Sequence, residues 1–434
     1  MKPQFLIAAP HSGAGKTTIT LALLRALQRS GRRVQPFKCG PDYLDPQLHT
    51  IAAGQASINL DAWMMSETHL QELYQRYTSD AAISITEGVM GLFDGAHKME
   101  GSSAALAALL RIPVILVVDA RAMAYSAAAL LYGYKHFFRD ITLAGVIFNF
   151  VDAPSHYRIL QEAAADVGVP VLGYLPERPD IRIPSRHLGL HTSAETDYDA
   201  IIDAAADHLS GHIDLELLLQ QTLRPVSAAA PTQAVSTGRL KIAVAQDEAF
   251  HFIYPENITA LKQLGDITYF SPLTAGALPN ADLLYLPGGY PELHLPQLAG
   301  NTGLLQQLRQ YKGRILAECG GMMYLGEQIT DEKGEAWTMA GLLPVSTTMQ
   351  PPRLSLGYRE VHIGDVVLRG HEFHYSQYIK APGTTQTDIR VLNSRQETVD
   401  SPVFHGPRIL AGYMHFYWGD NIRGLSQLLG IDRG

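Results

Sequence analysis

Short apolar runs rich in β-branched residues recur along the first half of the chain, at residues 5–9, 82–85, 113–118 and 143–148. Runs of this length without alternation fit strands buried on both faces, as in a parallel sheet. Stretches of helical period lie between them. From Lys16 to Arg29 apolar residues fall at Ile19, Leu23, Ala26 and Leu27, one face of a helix that starts directly after a glycine-rich turn. This alternation predicts a parallel sheet with crossover helices. At 225–238 the pattern lapses into Ala, Ser, Thr, Pro and Gln, the composition of a linker. A second alternation follows, with strands expected at 240–245, 267–270, 283–286 and 314–317. The expected fold is α/β throughout, with an N-terminal domain over 1–224, a linker over 225–238 and a second domain over 239–434.

Composition narrows the classes. The 434 residues are 46% hydrophobic and 18% charged, as in ordinary globular protein, and the formal net charge is −8. With no basic run of five or more, there is no electrostatic footprint for a nucleic acid. Nor is there an uninterrupted apolar stretch of about 18 residues or a secretory cleavage pattern, so neither a membrane span nor export is expected. A cytoplasmic protein is. Two cysteines, Cys39 and Cys319, are too few for a disulfide framework and stand at no metal-ligand spacing. At least one is free to act as a nucleophile.

The segment Pro10-His11-Ser12-Gly13-Ala14-Gly15-Lys16-Thr17-Thr18 lies between a strand and a helix. That is the context of a phosphate-binding loop, in which glycines let backbone N–H groups converge on phosphate. Gly13, Gly15, Lys16, Thr17 and Thr18 are the candidate nucleotide-binding residues, with Lys16 for the terminal phosphates and the Thr17 hydroxyl for Mg²⁺. Pro10 stands where the first glycine of G-x-x-x-x-G-K-S/T belongs. Carboxylates then cluster at strand ends, where the ligand crevice of an open parallel sheet lies: Asp42, Asp45, Glu87, Asp94 and Asp119. Beside a triphosphate they read as metal ligands or proton acceptors; taken singly, each reads equally as a loop or capping carboxylate.

Gly40-Pro41-Asp42-Tyr43-Leu44-Asp45-Pro46, the run from Glu87 through Val89-Met90-Gly91-Leu92-Phe93 to Asp94-Gly95, and the run from Ile183 through Arg186-His187 to Leu190 follow the phosphate loop in order. Together the four motifs resemble the cobyrinate a,c-diamide synthase family of cobalamin biosynthesis, and with the features below the resemblance spans essentially the whole chain. It implies a dethiobiotin-synthetase-like N-terminal domain that uses ATP and Mg²⁺ to amidate the a and c acetate side chains of a corrinoid. It also implies Asp45, Glu87 and Asp94 in catalysis, Asp45 and Glu87 with Thr17 at the metal, Asp42 at the substrate, and Asn149 at adenine. Arg186 and His187 are the cationic candidates for a substrate rich in carboxylates, with Arg121 and Tyr125 weaker; surface ion pairs are the competing reading.

In the second half Cys319 follows a strand and precedes Gly320-Gly321 and a helical pattern, the layout of a nucleophile elbow. A helix N-terminus there is expected to lower the thiol pKa. The turn Pro287-Gly288-Gly289-Tyr290 ends another strand, and the N–H groups of Gly289 and Gly320 are candidates for an oxyanion hole. These features resemble class I glutamine amidotransferases, which implies His415 as the base. Relatives elsewhere in that class carry a glutamate two residues after this histidine, where Tyr417 stands here, so a Cys–His dyad is expected. His371 and His374 compete as bases, with structural roles favoured on a strand.

ATP, L-glutamine and a tetrapyrrole are the implied small molecules, an enclosed ammonia path is implied between the two sites, and a homodimer is compatible with the resemblance. Hydrogenobyrinate, nickel-sirohydrochlorin and the substrate of cobyric acid synthase are alternatives to cobyrinate, since the shared motifs do not fix the macrocycle. The rival class is a partitioning-type ATPase switch with an inactive amidotransferase appendage. Such switches carry a lysine five residues before the P-loop lysine, where this chain has His11.

Overall fold

The computed structural model describes residues 1–183, 196–226, 240–380 and 389–431. Contacts divide the chain into Met1–Thr232 and Gln233–Gly434. The expected linker lies, from residue 227 onward, outside the described residues.

The first unit runs β1 (Lys2–Ala8), α1 (Lys16–Arg29), β2 (Val34–Cys39), α2 (Asp45–Ala53), β3 (Ile58–Leu60), α3 (Glu67–Asp80), β4 (Ile83–Glu87) and α4 (Ser103–Leu110). It continues through β5 (Val114–Asp119), α5 (Ala127–His136), β6 (Leu143–Asn149), α6 (Pro154–Val167), β7 (Val171–Leu175), α7 (Tyr198–Ser210), α8 (Leu215–Gln221) and β8 (Leu223–Arg224). Seven strands pair in parallel in the order β3-β2-β4-β1-β5-β6-β7, and β8 adds antiparallel to β1. Helix boundaries follow local chemistry. Ser66 and Ser102 cap α3 and α4 with side-chain oxygens, Pro154 opens α6, and Gly54 and Gly168 end α2 and α6 in left-handed conformation. The apolar face of α1, including Ile19, Leu23 and Leu27, is buried against Phe5, Ile7, Ile85, Ile115 and Ile147 of the sheet. Register places Ile7 and Lys38 on either side of Glu87, so the carboxyl ends of β1, β2 and β4 meet at one point.

The second unit begins β9 (Leu240–Ala245), α9 (Pro255–Leu261), β10 (Gly265–Phe270), β11 (Leu283–Leu286), α10 (Leu295–Gly300), α11 (Thr302–Gln310), β12 (Arg314–Glu318) and α12 (Gly320–Leu325). Then come β13 (Gln328–Thr330), β14 (Ala336–Thr338), β15 (Ser346–Thr348), β16 (Ser355–Ile363), β17 (Val366–His374), β18 (Gln377–Lys380) and β19 (Ile389–Asn393). It closes with β20 (Val403–His405), β21 (Ile409–Gly412), β22 (His415–Tyr417) and α13 (Ile422–Leu428). Its main sheet has the order β10-β9-β11-β12-β21-β20, parallel except for the β20–β21 pair. Alternation along the buried strands feeds two cores. Ala243, Leu284, Leu286 and Ile315 pack with α11 and α12, whereas Ile242, Leu283, Tyr285 and Leu316 pack with α9 and α13. Two smaller sheets, β14-β13-β15-β18 and β19-β16-β17-β22, follow.

Candidate functional site

In the first unit the loop after β1 carries Gly13 and Gly15 at φ of 84° and 94°. A Cβ on Gly15 would stand 2.2 Å from the Asn149 side-chain nitrogen, so α1 can begin there only without a side chain. Lys16 is buried and donates to the Met90 carbonyl at 2.7 Å. Burial lowers its pKa, with Glu87 opposing. The Thr17 hydroxyl donates to Glu87 Oε1 at 2.7 Å.

Glu87, at the end of β4, is the centre of this site. Lys38 Nζ lies 3.1 Å from Glu87 Oε1 and 2.7 Å from Asp45 Oδ2. Fully buried His49 places Nε2 at 2.6 Å from Glu87 Oε2 and Nδ1 at 3.2 Å from Ser57 Oγ. Since a carboxylate only accepts, that geometry puts the imidazole proton on Nε2 and leaves Nδ1 for the serine hydroxyl. Burial works against charge on Glu87, yet Lys38 with His49 outweighs it and the carboxyl lies below its usual range. Burial is likewise outweighed at Lys38, where Asp45 and Glu87 raise the ammonium above the usual lysine range. Sequence reasoning missed Lys38 and His49. Their signals are the position of Lys38 at a strand end before the Gly40–Asp45 motif and the i+4 spacing of His49 from Asp45 on α2.

Other expected residues have more local duties. Asp42 Oδ1 accepts the Leu44 and Asp45 N–H groups at 2.8 and 3.0 Å, and Asn59 Nδ2 holds the same turn through the Gly40 and Asp42 carbonyls. Asp42 thus shapes the entry to α2, which sets Asp45 beside Lys38. Asp94 Oδ2 accepts the Gly91 N–H at 3.0 Å. Asn149, expected at adenine, donates from Nδ2 to the Ala14 carbonyl at 3.0 Å and accepts the Phe150 N–H at Oδ1; its amide is engaged in fixing the phosphate loop. Thr18 lies in the first turn of α1. Arg121 pairs with Asp119 at 2.6 Å and lies 4.3 Å from the Phe150 ring centre, and the Tyr125 hydroxyl donates to Asp166. These are surface contacts. Arg186 and His187 lie outside the described residues.

In the second unit Cys319 follows β12 and is the N-cap of α12, with φ 45° and ψ −108°, and is 4% exposed. A non-glycine residue rarely adopts this backbone; here it turns the thiol out of the strand at the start of α12. The Cys319 N–H donates to the Gly412 carbonyl at 2.7 Å. A Cβ on Gly320 would lie 2.7 Å from Pro291 Cδ and 3.3 Å from the Gly289 nitrogen, and one on Gly288 would lie 2.1 Å from His415 Cε1. The Gly288–Pro291 segment therefore touches both the nucleophile turn and the imidazole, and the structure gathers Cys319, His415, Gly289 and Gly320 around it.

His415 is fully buried, stacked on His371 at 5.2 Å and tilted against Phe252. Burial holds both imidazoles far below their ordinary range, His371 at about 3, which keeps them neutral at pH 7. The thiol departs from expectation. Burial pushes it up, Glu292 adds to this, and the Gly320 N–H only partly offsets them. Cys39 is also buried, with its thiol pushed up to about 12 by burial and then Asp61.

The strand carrying His415 is held through its backbone. Glu318 Oε1 accepts the Phe416 N–H at 2.9 Å and its Oε2 accepts the Tyr285 hydroxyl at 2.8 Å. Asn257 Nδ2 donates to the Phe416 carbonyl at 2.8 Å. Tyr417 packs edge-on to Tyr254, whose hydroxyl lies 3.2 Å from His371 Nδ1, and His374 stacks on Tyr413 at 3.7 Å. His371 and His374 thus form packing contacts at the site, and Glu318 was not legible as a partner of the His415 strand.

Two family models match the chain: the CobQ/CobB/MinD/ParA nucleotide binding domain over residues 5–190 and the CobB/CobQ-like glutamine amidotransferase domain over residues 241–421. It is 41% identical over 425 residues to hydrogenobyrinate a,c-diamide synthase of Brucella abortus, covering 95% of this chain and 97% of that protein. The enzyme of that name from Pseudomonas aeruginosa is 41% identical over 432 residues, 98% of this chain and 97% of its own. This chain belongs to the a,c-diamide synthase family. The Rhodobacter capsulatus member is 43% identical over 394 residues, 87% of this chain and 90% of its own. Membership bears out the resemblance read from the motifs and the pairing of a phosphate-loop domain with an amidotransferase domain. As a family member the protein is an ATP-dependent, glutamine-using amide ligase of cobalamin biosynthesis.

Proposed function

We propose that this chain amidates the a and c acetate carboxylates of hydrogenobyrinate, with 1–224 activating the carboxyl and 239–434 releasing ammonia from glutamine. The observation that carries the choice of macrocycle is the identity, 41% along nearly the whole length, to enzymes named for that substrate. Cobyrinate is the second reading. Among the described residues no helix is long and apolar enough to cross a membrane, and we place the reaction in the cytoplasm.

A carboxylate is a poor electrophile. Attack of its oxygen on the γ-phosphorus of ATP, with ADP leaving, makes an acyl phosphate; ammonia then attacks the acyl carbon and phosphate leaves. Lys16 would exchange the Met90 carbonyl for phosphate, and Asp94 would take a proton from the attacking nitrogen. For Mg²⁺ the fitting donors are hard oxygens, and the Thr17 hydroxyl and the Glu87 carboxylate already meet at 2.7 Å. Thr17, Glu87 and Asp45 would hold it. The ion would supply neutralisation of charge developing on the transferred phosphoryl oxygens. Lys38 and His49 keep Glu87 ionised and fixed in direction. Arg186 and His187 remain the proposed cations for substrate carboxylates.

In the glutaminase half Cys319 Sγ attacks the side-chain amide carbon, while His415 takes the thiol proton and returns it to the departing nitrogen, giving ammonia and a thioester that water cleaves. The N–H groups of Gly289 and Gly320 would hold the oxyanion. Assaying the purified protein with ATP, glutamine and, in turn, hydrogenobyrinate, cobyrinate and nickel-sirohydrochlorin tests the reading by product mass. Diamide from hydrogenobyrinate at the highest kcat/KM is expected; a clear preference for either other substrate overturns the assignment.

A further inference from the structure

The carboxyls to be activated stand on acetate arms. Such an arm is two carbon–carbon bonds, about 2.5 Å, long, so a macrocycle whose acetate reaches the phosphate loop lies almost against the protein beside it. The conjugated face of that macrocycle is apolar, and burying it stabilises the complex only where the protein surface is apolar too.

Beside the phosphate loop the surface is aromatic. The Met90 carbonyl accepts from Lys16, and four residues on the exposed Asp94 carboxylate accepts the Gly91 N–H. The Leu92 N–H donates to the Ala9 carbonyl at 2.9 Å, which ties this turn to the start of the loop. A Cβ on Gly91 would stand 2.5 Å from Asp94 Oδ2 and 2.7 Å from the Pro10 carbonyl oxygen, so these two oxygens flank one point. The Tyr134 hydroxyl of α5 donates to that same Pro10 carbonyl at 3.3 Å. Phe93, the residue before Asp94, stacks on Tyr134 with ring centres 5.2 Å apart and planes at 19°. It meets Phe137, at the end of α5, edge-on at 5.1 Å. The cluster is not closed over: Phe137 is 70% exposed and Met90 is 45% exposed. A lone exposed aromatic calls for no explanation. Three rings in contact, anchored to the phosphate loop and adjoining the proposed proton acceptor, make an open apolar patch continuous with the reacting site.

We infer that Phe93, Tyr134 and Phe137 form the platform on which a face of the tetrapyrrole stacks while an acetate carboxyl is activated. This rests on the reading of the loop at 10–18 as the place of carboxyl activation, and it adds the part of the site that recognises the ring rather than its charges. Aromatic stacking holds a ligand at a fixed height and tolerates rotation in its plane. One platform therefore serves the a and the c acetate in turn, with the macrocycle rotated between the two reactions.

The test uses the full-length protein. Equilibrium dialysis of hydrogenobyrinate, read by its visible absorbance, gives Kd, and amidation with ammonium gives KM without the glutaminase. In Phe137→Ala, an exposed truncation, Kd and KM for the macrocycle should rise about 10-fold, with kcat and the KM for ATP within a few-fold of native. Phe93→Ala should raise both at least as far. Phe137→Tyr keeps the ring and should bind as the native chain does, whereas Phe137→Leu keeps apolar bulk alone and should lose most of the gain. The rise in KM should be alike for the diacid and for its monoamide. Unchanged Kd in both alanine variants, equal Kd for the Tyr and Leu variants, or a rise confined to one of the two amidations overturns the inference. So does a fall in sedimenting mass for Phe137→Ala with Kd unchanged, which would assign the patch to a second copy of this chain. Failure of the underlying reading looks different: Lys16→Ala would then keep near-native synthesis with ammonium.

Discussion

The two sites solve the problem of buried polarity in opposite ways. In the first unit charge is retained and compensated: Lys38 lies between Asp45 and Glu87, and Thr17 and His49 complete the bonding of Glu87. Around Cys319 and His415 in the second unit burial suppresses charge. The Cys319 thiol is pushed up, and His371 and His415 are pushed down. The difference follows the ligands. A site for a polyanionic nucleotide works with fixed charges already in place, whereas a neutral amide is attacked where a thiol and a neutral base exchange a proton as the reaction proceeds. On the proposed mechanism, the second site starts from a neutral thiol and a neutral imidazole.

The largest effect that could break this comparison concerns the nucleophile. Cys319→Ala is expected to lower glutamine hydrolysis about 10³-fold or more, while ammonium at mildly alkaline pH still supports diamide formation. His415→Ala should show the same split and a residual rate no higher, because the thiol has no depressed pKa to fall back on. Product assays with each nitrogen source measure both. Lys16→Ala should lower synthesis with glutamine and with ammonium alike, by about 10²–10³-fold, and leave glutaminase turnover in place; near-native ammonium-dependent synthesis would show that this loop does not hold the phosphates.

A smaller effect separates suppressed from compensated charge through stability. Glu318 is raised by burial to about 8, above its unfolded value near 4.3. The protonated carboxyl is thus favoured by folding, a contribution fully present below about pH 4 and lost as pH rises through about 8. Glu87 is shifted the other way, by Lys38 and His49, so its contribution is present above the unfolded value and is lost in acid. Thermal melts of Glu318→Gln should therefore show a weaker decline between pH 5 and pH 8 than the native chain; parallel curves would remove Glu318 as a source. The smallest effect belongs to Cys39→Ala. It should leave glutamine hydrolysis unchanged and cost about 1 kcal/mol of stability in a denaturant titration, the scale of a small buried truncation.

What could be read from sequence follows the same division. Strands β1, β4, β5, β6, β9, β11 and β12 are apolar runs buried on both faces, and the expected segments overlap them. Strand β2 escaped because Gln35, Pro36 and Lys38 interrupt its apolar run, and one of these interruptions is the lysine of the site. Strands of three or four residues such as β13, β15, β18 and β22 are too short to show a period. Motif residues at turns were legible, since a phosphate loop and an elbow have fixed local order. Partners contributed from a distance were not: His49 to Glu87, Glu318 to Phe416 and Asn257 to Phe416 become neighbours only through the tertiary packing of helices and sheets. The desolvation that pushes the thiol up was not legible for the same reason, because local chain order shows a helix N-terminus but not burial.

The two glycines of the phosphate loop face different constraints on sequence drift. Around Gly13 no protein atom lies within 4 Å of where a Cβ would be, so within the chain itself only its left-handed φ resists a side chain. Asparagine and aspartate tolerate that conformation at modest cost, which leaves this position a narrow set of permitted replacements. Gly15 has no such set: even a methyl group would displace the Asn149 amide from its bond to the Ala14 carbonyl. Replacement there requires a concerted change at the end of β6, more than one hundred residues away in the chain. In a library randomised at both positions and sorted for folded protein, diversity should survive at 13 and collapse to glycine at 15.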